Sequence, residues 1–488
     1  MNRRDFLKAL GAGAAAMAAP RWLLGADEQK GRPNVILCMT DDQGWGDTGY
    51  NGHPALKTPT LDEIARTALR FERFYSGAPV CSPTRGSCLT GRHPYRYGVL
   101  YANVGHMKAE EATLAEVLRA RGYTTGHFGK WHLGTLTKTV TESNRGGARG
   151  VAHYSPPWDN GFDVCFSTEA KVPTYDPMKR PGSDQPYGTH YWTGPEQMVK
   201  DNLEGDDSRV IMDRVVPFLR QAVQAAKPFL AVVWFHTPHL PVLAGERHRK
   251  LYAEKPEGAQ HYLGCITAMD EQLGRLRKEL RALGVVRNTM LWFCSDNGPE
   301  GGRKTPTNGS AGPLRGRKRS LFEGGIRVPG LLEWPAKITK PRVVKMPCGT
   351  EDYFPTVLAA LGITLKKGEK VEPVDGVNLL PLIDGRMTER PRPLGRESGG
   401  QLALIDNRYK LIRQGRGRRR KKRKGQEKAA PAPERGGWML FDLLADPGEK
   451  SDLAAAKPEI VQRMAATVLK WQASCARSRE GADYRTGR

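Results

Sequence analysis

The residues from Cys81 to Arg92 carry more potential chemistry than any other stretch of this 488-residue chain. A thiol follows the apolar approach Ala78-Pro79-Val80, Pro83 fixes φ two residues on, and Arg85 adds a rigid fork of donors. Thr84 to Leu89 opens a helical run closed by Gly91. A helix there aims its free N–H groups and positive dipole end back at Cys81, so an anion meets backbone donors and a guanidinium together. The plainer reading of Cys81 is a small buried hydrophobe. Asp41-Asp42 and Asp296-Asn297 each follow a continuous apolar run. Adjacent acids can simply cap a turn. Two such sets together give four hard oxygen donors, which suit calcium, with its six to eight oxygens at roughly 2.3–2.6 Å, better than zinc. Lys130 and His132, two apart in an extended segment, point to one side. His236 and His239 follow a further apolar run, and Lys318 sits inside Arg317-Lys318-Arg319.

Cys81-x-Pro83-x-Arg85, completed by Leu89-Thr90-Gly91-Arg92, resembles the sulfatase signature, and the similarity runs from about Pro33 to the C-terminal segment. The resemblance implies that a formylglycine-generating enzyme oxidises Cys81 to formylglycine, whose hydrated aldehyde is the nucleophile. It also implies one calcium ion on Asp41, Asp42, Asp296 and Asn297, with an oxygen of residue 81 or of bound sulfate completing the shell. Gly129-Lys130-Trp131-His132-Leu133-Gly134 matches a family motif in which Lys130 holds a sulfate oxygen and His132 is a base acting on residue 81. The family's His-x-Pro pattern gives His239 to the sulfate site, with His236 as the alternative. Arg85 and Lys318 join the set that stabilises the sulfuryl oxygens, and His239 or Lys318 protonates the leaving oxygen. Relatives usually carry Gly-Gly-Lys-Gly where this chain has Gly316-Arg317-Lys318-Arg319. The lysine is retained, but the two arginines put the local backbone in question and should make the mouth of the site more basic. Cys88 stands where many relatives have an aliphatic residue.

The elements that must position these groups alternate. Buried-type strands are expected at Pro33–Thr40, Phe229–Phe235 and Thr289–Cys294, with a short one running into His127. Helices are expected at Thr60–Leu69, with Thr60 as N-cap and Glu63 closing a capping box, and at Thr113–Ala120, Ser208–Ala226 and Gly264–Leu283. Such alternation gives an α/β domain with a mostly parallel sheet, whose ligands sit at the carboxyl ends of the strands. The resemblance specifies the alkaline phosphatase-like fold. Both periods fade from Thr135 to Gln197, which reads as long loops shaping the substrate side. The catalytic domain is expected over 33–385 and a small C-terminal domain over 386–488. In the latter, Arg408–Arg413 and Trp438–Leu443 read as antiparallel strands and Pro458–Ser474 as a helix. Between those strands lies a basic low-complexity insertion, 414–437, which includes seven consecutive basic residues from Arg418 to Lys424.

The N-terminus, Asn2-Arg3-Arg4-Asp5-Phe6-Leu7-Lys8 followed by Ala and Gly, looks like a twin-arginine export signal over 1–26, with cleavage near Ala26 or Ala19. Its apolar run is too short to anchor in a bilayer, so the expected location is periplasmic or extracellular with no membrane span. The eight cysteines contain no Cys-x-x-Cys pair. Conversion of Cys81 leaves an odd number, so at most one or two disulfides are expected. A net charge of +24 favours a polyanionic partner. The basic run lacks interleaved aromatics, so no specific nucleic-acid partner is expected. The reading is an exported, calcium-dependent sulfatase acting on a sulfated polysaccharide. The rivals are a phosphonate or phosphate ester hydrolase of the same fold, and an inactive polyanion-binding protein.

Overall fold

The computed structural model describes residues 31–142, 145–301, 308–365, 372–415 and 437–484. The expected signal segment and nearly all of the basic insertion lie outside the described residues. Five parallel strands form the centre of a ten-stranded sheet: β1 (Asn34–Thr40), β2 (Thr124–Lys130), β3 (Val164–Thr168), β4 (Phe229–Trp234) and β5 (Thr289–Ser295). They lie in the order β5-β1-β4-β2-β3. Their near-continuous apolar sequence follows from burial on both faces. Val35, Leu37 and Met39 of β1 enter one core with Leu230, Val232, Met290 and Trp292. Ile36 and Cys38 enter the other with Ala231, Val233, Leu291 and Phe293. Each fully buried Val, Leu, Ile, Phe or Met side chain among them contributes about 1.5–3 kcal/mol.

Helices cover both faces: α1 (Pro59–Thr67), α2 (Cys81–Thr90), α3 (Leu114–Arg119), α4 (Asp207–Gln224) and α5 (Glu257–Ala282). At α3 a capping box that the sequence reading did not single out is present, with Thr113 and Glu116 exchanging side-chain and backbone bonds. At α1 the expectation fails. The helix starts at Pro59, so Thr60 lies inside it, and its first free N–H groups, of Thr60 and Leu61, donate to the Asp270 carboxylate of α5 at 2.9 Å each. Glu63 turns away to Arg277. A long-range cap replaces the local one, and Leu69 belongs to the strand Leu69–Phe71 rather than the helix.

The stretch read as loops from 135 to 197 contains β3 and the short strands Trp192–Gly194 and Gln197–Met198. The first two residues of β3, Val164 and Cys165, differ in exposure while the rest is buried, which hides the strand from a periodicity argument. Among the described residues after 385 there are four antiparallel strands, not two: Leu394–Ser398, Gln401–Ile405, Tyr409–Arg413 and Trp438–Asp442. One face packs Ala403, Ile412 and Phe441 on Tyr75, Leu321 and Ile326. The other packs Leu404, Leu411 and Leu440 on Met464 and Val468 of α6 (Pro458–Arg479). All eight cysteines are buried free thiols.

Candidate active site

The polar clusters fall at the carboxyl ends of adjacent strands. Asp41-Asp42 follow β1, Asp296-Asn297 follow β5, Trp131-His132 follow β2, and His236 to His239 follow β4. Pairing continues past the strand ends, with Asp296 N donating to Thr40 O at 3.0 Å and Asp41 N to Thr237 O at 2.9 Å, so the acidic turns are locked together. Gly129, at φ 101°, must be glycine: a Cβ there would lie 1.9 Å from Trp234 O on the neighbouring strand.

Cys81 is the first residue of α2, three residues earlier than the helical run legible in the sequence, and its thiol faces the cavity at the helix N-terminus. Gly91 ends the helix in the left-handed region at φ 68°. Burial raises the Cys81 thiol above its ordinary range, against the pull of Lys130 and Lys318. An unmodified thiol here is therefore protonated and a poor nucleophile at neutral pH.

Arg85 is fully buried. Its Nη2 lies 2.7 Å from Asp296 Oδ2, its Nη1 donates to Lys130 O at 3.0 Å, and its guanidinium stacks 5.3 Å from the Trp234 ring centre. Lys130 Nζ donates to Asp41 Oδ2 at 2.6 Å, and Lys318 Nζ to Asp42 Oδ2 at 2.7 Å. Asn297 Nδ2 donates to Asp42 Oδ1 at 2.7 Å, and Asp42 N to Asp296 Oδ1 at 3.0 Å. Asp41 Oδ1 and Asn297 Oδ1 are buried with no hydrogen-bond partner among the described residues. Burial and the like charges of Asp41 and Asp42 push the Asp296 carboxyl up, while Lys130, His239, Arg85 and Lys318 outweigh burial to hold Asp41 down. Asp41 comes within 4.8 Å of Asp296 and Cys81 in one cluster and of Asp42 and His239 in another, and the crowded carboxylates with two unpartnered oxygens form a donor set suited to a hard cation.

His132 Nε2 lies 2.8 Å from Asn103 Oδ1, and its Nδ1 is buried without a partner. Because Asn103 accepts the Nε2 proton, Nδ1 keeps the lone pair of a base. Burial, then Lys130, Arg145 and Arg85, lower His132 well below the usual histidine range, so it is neutral at pH 7. His239 lines the cavity; its Nδ1 donates to Leu240 O at 2.6 Å and its Nε2 lies 3.6 Å from Asp42 Oδ2. Burial takes it down to about 4. His236 is instead sealed in the core between Asp207 and Thr168. Of the two histidines, His239 alone lines the cavity.

The arginines flanking Lys318 do not make the mouth freely basic. Arg317 donates to the carbonyls of Glu300 and Gly309, and Arg319 forks onto the Glu300 carboxylate at 2.6 and 2.8 Å. Arg319 nevertheless keeps the backbone of a glycine, at φ 74°. Asp42 and His132 are also left-handed, at φ 68° and 57°. Non-glycine residues in that region each cost of order 1 kcal/mol or more; Asp42 holds the ammonium of Lys318, which with His132 and Arg319 lines one cavity of about 700 Å³. Asn103, Glu300 and Lys171, which also line it, carry no motif; only their spatial contacts expose them.

A family profile described as Sulfatase matches residues 33–363. N-acetylgalactosamine-6-sulfatase of Homo sapiens is 32% identical over 411 residues, covering 78% of this chain and 73% of that protein. The solved structure of Ps i-CgsB in complex with k-i-k-neocarrahexaose superposes with a TM-score of 0.74 at 24% identity, covering 93% of this chain and 97% of that one. The phosphonate monoester hydrolase of Agrobacterium radiobacter follows the same fold, with a TM-score of 0.62 at 19% identity and coverage of 91% and 96%. A second profile, for the twin-arginine translocation pathway signal sequence, matches residues 1–20, which indicates export. Among the described residues no helix is long and apolar enough to cross a membrane.

Proposed function

This chain belongs to the sulfatase family, and on that premise we propose that it hydrolyses sulfate esters of a sulfated carbohydrate, using a formylglycine made from Cys81 and one calcium ion. The observation that carries the reading is convergence: Cys81, Lys130 and Lys318 line one cavity, the Cys81 thiol lies within 4.8 Å of carboxylate oxygens of Asp41 and Asp296, and Arg85 and Lys130 bond those two carboxylates. Asp41, Asp42, Asp296 and Asn297 would hold the cation, which would supply Lewis-acid stabilisation of negative oxygen. A formylglycine at position 81 would supply a hydrated aldehyde as oxygen nucleophile in place of the weakly acidic thiol.

The chain's own groups divide the remaining work. Arg85, braced by Asp296 and by the Lys130 carbonyl, offers a fixed guanidinium that needs little reorganisation as charge develops. Lys130 and Lys318 sit on carboxylates that a cation would neutralise, leaving both ammoniums for sulfuryl oxygens. Of the two candidates for protonating the leaving oxygen, Lys318 is the one that carries its proton. A lysine is an ammonium at neutral pH, and Lys318 Nζ sits 2.6 Å from Asp42 Oδ1. His239 is neutral, with its Nδ1 proton committed to Leu240 O. His132, neutral and with Nδ1 unpaired, is poised to take a proton at the residue 81 side so that sulfate can leave.

The relative at 32% identity is a sulfatase, whereas the phosphonate hydrolase shares the fold alone. The test is turnover of an aryl sulfate and the matching aryl phosphonate by calcium-loaded protein, alongside sulfated oligosaccharides. Faster sulfate release, strongest on the oligosaccharides, is expected. Equal or faster phosphonate hydrolysis would overturn the reading.

A further inference from the structure

Of the two histidines that follow β4, His239 lines the cavity and His236 does not. His236 is fully buried, with Nδ1 2.8 Å from Asp207 Oδ2 and Nε2 2.8 Å from Thr168 Oγ1. Thr168 Oγ1 donates in turn to Ala170 O at 2.7 Å. From the β2 side, Trp131 N donates to Thr168 O and His132 N to Glu169 O, both at 2.9 Å. These bonds pin the turn after β3, and the next residue is Lys171.

Lys171 is exposed and lines the same cavity as Cys81, Lys130 and His239. The other cations of that lining each have an acidic partner: Lys130 on Asp41, Lys318 on Asp42 and Arg319 on Glu300. Lys171 has none among the described residues. Glu142, the nearest carboxylate in sequence along the lining, is committed to His190 and Trp192. Partial desolvation within the cleft and the repulsion of Lys130 and Lys318 lower the Lys171 ammonium, and a second anion would relieve that repulsion.

We propose that Lys171 binds a second anionic group, a sulfate or a carboxylate, on the sugar bearing the scissile sulfate or on its neighbour, so that the cleft selects multiply charged carbohydrates over monosulfated ones. The proposal rests on the sulfatase reading and names the substrate class within it. The His236–Thr168–Ala170 chain is the brace: a cation on a pinned turn pays less ordering cost when the ligand arrives.

The test is equilibrium binding by calorimetry in calcium-loaded Cys81→Ala protein, with and without Lys171→Met. The probes are three oligosaccharides of equal length: monosulfated, disulfated, and monosulfated with a uronic carboxylate. In the Lys171 parent at least one doubly charged probe binds more tightly than the monosulfated one. Lys171→Met lowers that preference about tenfold, the loss expected for a hydrogen bond to a charged group. Lys171→Arg retains the preference and Lys171→Glu reverses it. The arm that responds tells sulfate from carboxylate. A preference unchanged by Lys171→Met in both arms would overturn the proposal. Because binding is read with the nucleophile removed, failure of the intact enzyme to release sulfate would count against the sulfatase reading separately.

Discussion

Replacing Lys410 by methionine tests whether the small sheet holds the catalytic turn. Lys410 is fully buried, with Nζ 2.9 Å from Glu323 Oε1 and 3.0 Å from Glu449 Oε1. Glu449 Oε2 accepts from Glu323 N at 2.6 Å, and Gly324 N returns to Arg315 O at 2.7 Å, closing the turn that carries Lys318. Methionine keeps the apolar stem and removes the ammonium between two buried carboxylates. Arg327, 3.5 Å from Glu323, is left as a partial counter-charge. Removing one partner of a buried pair costs roughly 3–5 kcal/mol. Burial, only partly countered by Lys410, already pushes Glu449 up to about 7. Without Lys410 it rises further, so the folded state binds a proton that the unfolded chain releases. Stability of the variant therefore falls as pH rises from 6 to 8. Urea unfolding of the parent, Lys410→Met, Glu449→Gln and the double variant gives the numbers. The double variant should be less destabilised than the sum of the singles by about 1 kcal/mol or more, and kcat should drop in folded Lys410→Met. A single-variant loss under about 1 kcal/mol, with additive effects and unchanged kcat, would refute the reasoning.

Cys81→Ala should abolish turnover and keep the fold, since only the reactive group is lost. Chelation should abolish turnover reversibly, and Asp42→Ala or Asp296→Ala should weaken calcium binding measured by titration; activity indifferent to chelation would remove the metal from the account. His132 is neutral well below pH 6.5, so the parent should lose no activity through it between pH 6 and 8. Asn103→Asp, placing a carboxylate against Nε2, stabilises the imidazolium and should move the acid limb of kcat upward; an unmoved limb would detach Asn103 from His132. Arg413 pairs in register with Trp438, so a short turn can replace the insertion at 414–437 with little loss of stability. That deletion should raise KM for sulfated polymers at low salt and spare a small aryl sulfate, and identical salt series for deletion and parent would leave the insertion without a role.

The strands and the site residues on them were legible because the sheet centre is buried on both faces, which makes β1, β4 and β5 continuous apolar runs ending in polar pairs. What sequence could not supply depends on distant partners. Asp270 caps α1 from 210 positions away, overriding a local Thr60–Glu63 signal. Glu300 neutralises Arg319, so charge in the sequence did not become free charge at the cleft mouth. Asn103 sits in a turn without periodicity and acquires meaning only through its contact with His132. The choice between His236 and His239 needed burial: both follow the same strand, and only one lines the cavity.

The central claim is that residue 81 does its chemistry as an oxygen nucleophile rather than as a thiol. Mass spectrometry of the proteolytic peptide spanning Val80 to Arg85, taken from active protein, measures this directly. The account predicts a peptide in which the Cys81 thiol has been replaced by an aldehyde that reacts with hydrazides, in a proportion that tracks specific activity across preparations. Fully active enzyme carrying only unmodified cysteine at position 81 would contradict it.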